Sequence, residues 1–393
     1  MCYVRLSIRE FLCAEAMYHL RVPTSRVAAI IAGGESVVRD PLYQGQPIAE
    51  RTAVVLRLAP TWFRIGSLEI HAHLGEVESL RLLVRQVIAT LFSNEEWSNS
   101  STFPAGEQYV QMGVRIANLC YDTWVHWQRV GFTHGVLNSD NISLLGITID
   151  YGPFGFLSTY NPRYVPNNSD SEGRYSYERQ LDMLHFDLDK LRSSLEVLIA
   201  ADVSPGEQRG LLLQRMAREF TAARARAEDE LQRVFMAKLG LKGATSDNLP
   251  AMLLLAMEET GADFTATFRQ LGEVDSNRLG DKFEVKKHWS LNRVASSDLW
   301  PSFVERYMAA LQSEGVSETD RRDVMNRENP CYVLRNWMAQ AAIEKAEKGD
   351  FSEVRRLERI LRDPYTRQTE AEHLGYGAPP PDWERQLRVS CSS

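Results

Sequence analysis

The chain has 393 residues, 44% of them hydrophobic and 25% charged, with a formal net charge of −7. That composition fits an ordinary soluble globular protein built as one bilobal unit or as two to three domains. The acidic balance leaves no basic stripe and argues against nucleic acid as a partner, and the longest apolar runs, such as 252–257, are far too short to cross a membrane.

In chain order, residues 7–20 read as an amphipathic helix with Ser7 as N-cap, Glu10 at the capping-box position and Pro23 closing it. Leu12, Ala16 and Leu20 recur at helical spacing and form its apolar face. Val37-Val38 and residues 53–58 are β-like runs flanking a loop with Gly45 and Pro47, while Gly33-Gly34 falls in a turn-like AGGES. The strand region is expected to end near Ile70. Residues 76–91 read as a helix, 93–106 as a polar loop and 107–130 as a long helix with Val110, Val114, Ala117 and Tyr121 on one face. Trp124 and Trp127 on that helix read as core, because aromatics at helical spacing usually pack inward. The stretch NPRYVPNNSDSEGRYSYERQ is too polar for a strand and reads as a loop. Residues 181–346 are mostly helical, with 206–238 a charged amphipathic stretch in which 215–234 carry the interspersed charges of a solvated helix face, and 353–361 add a further helix. The tail from Pro364, with Pro379-Pro380-Pro381, is expected to run extended across the helical part. The five cysteines, Cys2, Cys13, Cys120, Cys331 and Cys391, show no zinc-ligand spacing; Cys13 and Cys120 read as small core hydrophobes.

The segment HGVLNSDNISLLGITIDYGPFGF, residues 134–156, carries the chemistry. Protein-kinase-type sites hold Mg²⁺ with the Asn of H-R-D-x-x-x-x-N and with the Asp of a following D-F-G. Asn141 stands seven residues after His134, and Asp150-Tyr151-Gly152 occupies the D-F-G place. The usual catalytic Asp is replaced by Val136, which cannot accept a proton. Asp140, Asn141 and Asp150 offer the hard oxygens that Mg²⁺ prefers, and a hairpin through the apolar run 142–149 would return Asp150 towards Asn141. The competing reading is that these are turn residues between strands.

With NNSDSEGRYSYERQ behind it, this segment resembles the selenoprotein O (YdiU) family. The stretches SIREFLCAEAMYHL, VVLRLAPTWFRIGSLEI, NPCYVLRNWMAQ and PPPDWERQLRVSCSS extend the resemblance over nearly the whole chain. It implies an α+β, protein-kinase-like bilobal fold, akin to pseudokinases, that binds ATP in a flipped orientation and moves AMP onto hydroxyl side chains of protein substrates. Residues 1–72 would be a partial small lobe with an αC-like helix and strands. Residues 73–393 would be a large, mainly α-helical lobe with the catalytic loop, the D-Y-G metal motif and the tail. By the same resemblance Asp140 is the catalytic base, and Asn141 and Asp150 are ligands for Mg²⁺ (or Mn²⁺). Glu10 matches the αC glutamate that pairs with a nucleotide-binding Lys, and Arg57 and Arg64 match arginines near the nucleotide phosphates. Without the family, the two arginines read as solvated strand charges. Cys391 lies where the family carries selenocysteine or cysteine and is a candidate redox residue, although Pro166 stands where some members have its partner cysteine. The family implies a mitochondrial location in a eukaryote and a cytoplasmic one otherwise.

A kinase-like small lobe needs a Gly-rich loop over the phosphates and a strand Lys. Nine residues precede Glu10, with neither Gly nor Lys among them; the first glycine is Gly33 and the first lysine Lys190. The chain is therefore expected to begin inside the small lobe, with Leu12, Ala16 and Leu20 stripped of packing partners. Two functions remain in view. One is a Mg²⁺-dependent protein adenylyltransferase, favoured by the intact Asp140, Asn141 and Asp150, and the other is a non-catalytic pseudokinase-like binding module, favoured by the missing Lys. The sequence leaves the protein substrates and the oligomeric state open.

Overall fold

The computed structural model describes residues 2–40, 45, 47–243 and 248–389. Near the start, the strand β1 (Cys2–Tyr3) leads into α1 (Val4–His19), followed by β2 (Arg26–Arg39) and β3 (Ile48–Leu58). Helices α2 (Ile65–His73), α3 (Val77–Leu91) and α4 (Ala105–Val130) follow, then the short strands β4 (Phe132–Thr133) and β5 (Gly155–Phe156). The remainder is helical: α5 (Gln180–Asp202), α6 (Glu207–Lys238), α7 (Leu249–Thr260), α8 (Phe264–Glu273), α9 (Lys282–Val285), α10 (Trp289–Val294), α11 (Trp300–Glu314), α12 (Glu318–Glu328), α13 (Asn336–Glu347), α14 (Ser352–Leu361) and α15 (Thr369–His373). The described chain is α+β and mostly helical. None of its helices is long and apolar enough to cross a membrane.

The first sheet is antiparallel throughout, in the order β1-β3-β2, and β4 and β5 form a separate two-stranded ladder. The β2–β3 register shifts between Ala32 and Ser36, at Gly33-Gly34. The glycines read as a turn therefore sit in a bulge inside a strand, where residues 33–35 stand opposite Thr52 alone and the ladder continues. At Gly33 a Cβ would stand 2.3 Å from Thr52 Oγ1, so only glycine permits that approach. The strand region ends at Leu58 rather than near Ile70, because residues 65–73 wind into α2.

Helix α1 departs from expectation in two ways. It starts at Val4, so Ser7 is an interior residue, fully buried, and caps nothing. Its apolar face is not stripped: Leu12, Ala16 and Leu20 are all buried. The reason is that α1 is covered by the sheet on one side and by α13 and α14 on the other. Truncating Leu12 to Ala would cost about 2–5 kcal/mol at such a site. Exposed apolar surface lies instead on the sheet, at Ile31, Val54, Leu56 and Leu58.

Two apolar clusters fill the interior. One joins α1, α3, α4, α5, the first half of α6, α13 and α14; the other joins the end of α6 to α7, α8, α10 and α11. Trp124 and Trp127 lie in the first, as do Cys13 and Cys120. Gly131 ends α4 in the left-handed region at φ 70° and turns the chain into β4. Beyond α15 the chain crosses the loop 161–179: Val389 bridges Asn167, and its carbonyl accepts from the Asn168 N–H at 2.9 Å. Cys391 lies outside the described residues.

Candidate functional site

The β4–β5 ladder pairs Phe132 with Phe156 and Thr133 with Gly155, so the loops after β4 and before β5 leave from one point. Gln180 at the start of α5 pins that point, its Oε1 accepting from the His134 N–H at 2.9 Å and its Nε2 donating to the Phe132 carbonyl at 3.0 Å. The His134 ring is buried beside Trp127 and Phe132, and burial pushes its pKa down to about 4, leaving it neutral. Its Nε2 has no hydrogen-bond partner among the described residues.

Beyond His134 the loop closes on itself. Asn141 Nδ2 donates to the Val136 carbonyl at 2.9 Å, which fixes the amide plane and leaves its oxygen for another partner. The Asp140 N–H donates to Asn138 Oδ1 at 3.1 Å, while the Asp140 side chain is exposed. The expected hairpin is reduced to a single antiparallel bridge, Ile142 to Thr148, with Gly146 (φ 70°) in its turn. That bridge suffices to bring Asn141 and Asp150, just outside the pair, to the same end of the loop.

Asp150 is gripped through the backbone on either side of it. Arg57 Nη1 donates to the Ile149 carbonyl at 2.5 Å and to Glu10 Oε1 at 2.9 Å, and Glu10 Oε2 accepts from the Tyr151 N–H at 2.7 Å. Burial raises the Glu10 pKa, the Arg57 guanidinium opposes that shift, and the nearby Asp150 charge adds to it. The partner of Glu10 in this chain is therefore an arginine, not the lysine expected of an αC-like pair. Downstream, Arg9 donates to the Phe154 carbonyl at 2.8 Å and lies 4.2 Å above the Phe154 ring. Tyr151, Phe154 and Phe156 pack around Phe132.

Arg64 and Asp140 face a different environment. The segment ahead of α2 pairs with the one after the loop: Arg64 bridges Ser143, the Ile65 N–H donates to the Ile142 carbonyl at 3.1 Å, and the Gly66 N–H donates to the Ser139 carbonyl at 2.9 Å. An open cavity of about 720 Å³ lies there, with Trp62, Arg64, Glu69, His73, Asp140 and Lys190 in its walls. That is the size of a small-molecule site. Arg64 makes no ion pair among the described residues, whereas Arg57 is committed to Glu10 and leans over the Trp62 ring at 4.9 Å.

With this geometry in hand, comparison with known proteins is decisive. The family model described as "Protein adenylyltransferase SelO" matches residues 1–362. The chain belongs to the SelO family. Among relatives named protein nucleotidyltransferase YdiU, the one from Flavobacterium johnsoniae is 38% identical over 406 residues, covering 100% of this chain and 73% of the relative. Those from Paraburkholderia xenovorans and Xanthomonas oryzae are each 37% identical, covering 99% of this chain and 72% of the relative.

In this SelO chain the structure joins Glu10 and Arg57 to the backbone of Ile149 and Tyr151, on either side of Asp150, and puts Arg64 and Asp140 in one cavity wall. Arg9, Gly66, Glu69 and Gln180 escaped the sequence reading. Of these only Gly66 left a local signal, as a glycine inside the helical segment IGSLEI, where a Cβ would fall 2.3 Å from Asp140 Oδ1. Asn141 and Asp150 offer one amide oxygen and one carboxylate, the hard oxygen donors that a divalent cation such as Mg²⁺ takes. A second carboxylate, Glu10, stands close enough to feel the Asp150 charge. Among the described residues no group of three or more His, Cys, Asp and Glu forms a self-sufficient metal cage, so part of the coordination would come from the nucleotide and water.

Proposed function

We propose that this chain is a metal-dependent protein adenylyltransferase of protein-kinase-like, bilobal design, with residues 1–72 as its small lobe and 73–393 as its helical lobe. The observation that carries the reading is the paired grip of Glu10 and Arg57 on Ile149 and Tyr151, which fixes Asp150 beside the loop bearing Asp140 and Asn141. Asn141 and Asp150 would hold Mg²⁺ or Mn²⁺, which when bound neutralises charge on the ATP phosphates. Arg64, without an acidic partner among the described residues, supplies a guanidinium suited to phosphate oxygens.

Asp140 is exposed at the cavity and takes the proton of a Ser, Thr or Tyr hydroxyl. The hydroxyl oxygen forms a bond to the α-phosphorus, the bond from that phosphorus to the bridging oxygen breaks, and pyrophosphate departs with the electron pair. The test is transfer to a protein acceptor from α-labelled and from γ-labelled ATP. Label from the α-position alone supports adenylylation; label from the γ-position alone overturns it.

One observation favours a second reading, a pseudokinase-like module that binds nucleotide or partner without turnover. The glutamate that would orient a catalytic lysine is occupied by Arg57, which is itself tied to Ile149. Nucleotide binding with no transfer of either label would favour that alternative.

A further inference from the structure

Behind Asp140, outside the loop motifs, lies a second layer of acidic side chains. Ser139, the residue before Asp140, is held on two sides and faces a carboxyl on the third. Its hydroxyl donates to Glu69 Oε2 on α2 at 2.6 Å, its carbonyl accepts from the Gly66 N–H at 2.9 Å, and its N–H lies beside the carboxyl of Asp187 on α5, whose charged form it favours. Glu69 is in turn 3.5 Å from Lys190, on α5 like Asp187. Asp187 is 3% exposed, and its Oδ2 has no partner among the described residues. A carboxyl buried this deeply with an oxygen unpaired costs stability, so its presence calls for an explanation. What it touches is the backbone that carries Asp140.

We propose that Asp187 and Glu69 are positioning residues for Asp140, clamping Ser139 between α5 and α2 so that the neighbouring carboxyl is held against the N-terminal turn of α2. The inference rests on the reading of Asp140 as the group that meets the substrate hydroxyl. Gly66 belongs to the same device, because any larger residue there would push Asp140 Oδ1 away. Burial, with the Glu69 charge nearby, pushes the Asp187 pKa up to about 8. At neutral pH Asp187 is thus mainly a carboxylic acid, for which asparagine is a close mimic that keeps the acceptor oxygen.

The test compares Asp187→Ala with Asp187→Asn in the full chain, by amide hydrogen exchange across 136–142 and by AMP-transfer kinetics. Asp187→Ala is expected to speed exchange in that loop at least about tenfold. It should lower kcat about 10- to 100-fold while KM for ATP stays within about twofold. Asp187→Asn should restore both towards wild type. Exchange in Asp187→Ala that matches wild type, or an Asp187→Asn variant as impaired as the alanine one, overturns the proposal. Should Asp187→Ala fail to fold, Ser139→Ala removes only the hydroxyl bond to Glu69; loop exchange must still rise, and an unchanged rate contradicts the clamp. If wild type transfers no label, the adenylylation reading falls, and the exchange measurement alone still decides whether Asp187 holds the loop.

Discussion

The two ends of the site are built on opposite principles. At the Asp150 end the supporting side chains are buried or half-buried, and they hold backbone groups: Glu10 and Arg57 bracket the aspartate, Arg9 holds Phe154, and four aromatic rings close behind. At the Asp140 end the Asp140 carboxyl is exposed on a cavity of about 720 Å³, and order comes from Ser139 beneath it. The difference matches the two tasks proposed for them. Cation ligands must stay put, whereas a base that serves a protein hydroxyl must stay open to a bulky substrate.

The sharpest way to break the comparison is Asp150→Ala. Removing a metal carboxylate is expected to reduce AMP transfer by at least about 1000-fold, read with α-labelled ATP. Residual transfer close to wild type would show that the buried end is not where the cation acts. Asp140→Asn should lower kcat by about 100- to 1000-fold, yet leave unfolding free energy within about 0.5 kcal/mol, because the side chain is exposed. Glu10→Ala should behave oppositely. It leaves the Tyr151 N–H unpaired and Arg57 with only the Ile149 carbonyl, at a cost of about 2 kcal/mol in chemical denaturation, discounted for the partial exposure of Arg57.

The mildest effect concerns His134. Burial takes its pKa from the ordinary value near 6.5 down to about 4, so the folded chain binds fewer protons than the unfolded chain between those values. Its contribution is fully present above pH 6.5 and is lost as pH falls towards 4. Wild type should lose about 2 kcal/mol from this residue between pH 7 and 5, and His134→Gln should flatten the slope. An unchanged slope would mean that the ring is not sealed as the Trp127 and Phe132 contacts imply.

How much of this could be read from the sequence depended on distance along the chain. The long amphipathic run of α4 was legible almost to the residue, expected over 107–130 and found at Ala105–Val130, because 26 residues of regular periodicity leave little ambiguity. The loop carrying Asp140, Asn141 and Asp150 stood out because one short segment holds all three. The bulge at Gly33-Gly34 was not, since a glycine pair signals a turn as readily as a bulge. Ser7 looked like a cap because cap chemistry is local, but the helix had already begun at Val4. Asp187 and Glu69 were invisible: they reach Ser139 from helices 48 residues downstream and 70 residues upstream, with no spacing rule to link them.

The division of labour between the two ends can be tested most directly by measuring Mn²⁺-ATP binding, by calorimetry or electron paramagnetic resonance, in wild type, Asp140→Asn and Asp150→Ala. The expected result is binding in Asp140→Asn equal to wild type, with AMP transfer lowered about 100- to 1000-fold, and loss of metal-dependent binding in Asp150→Ala. Undiminished Mn²⁺-ATP binding by Asp150→Ala, with loss in Asp140→Asn, would contradict the account.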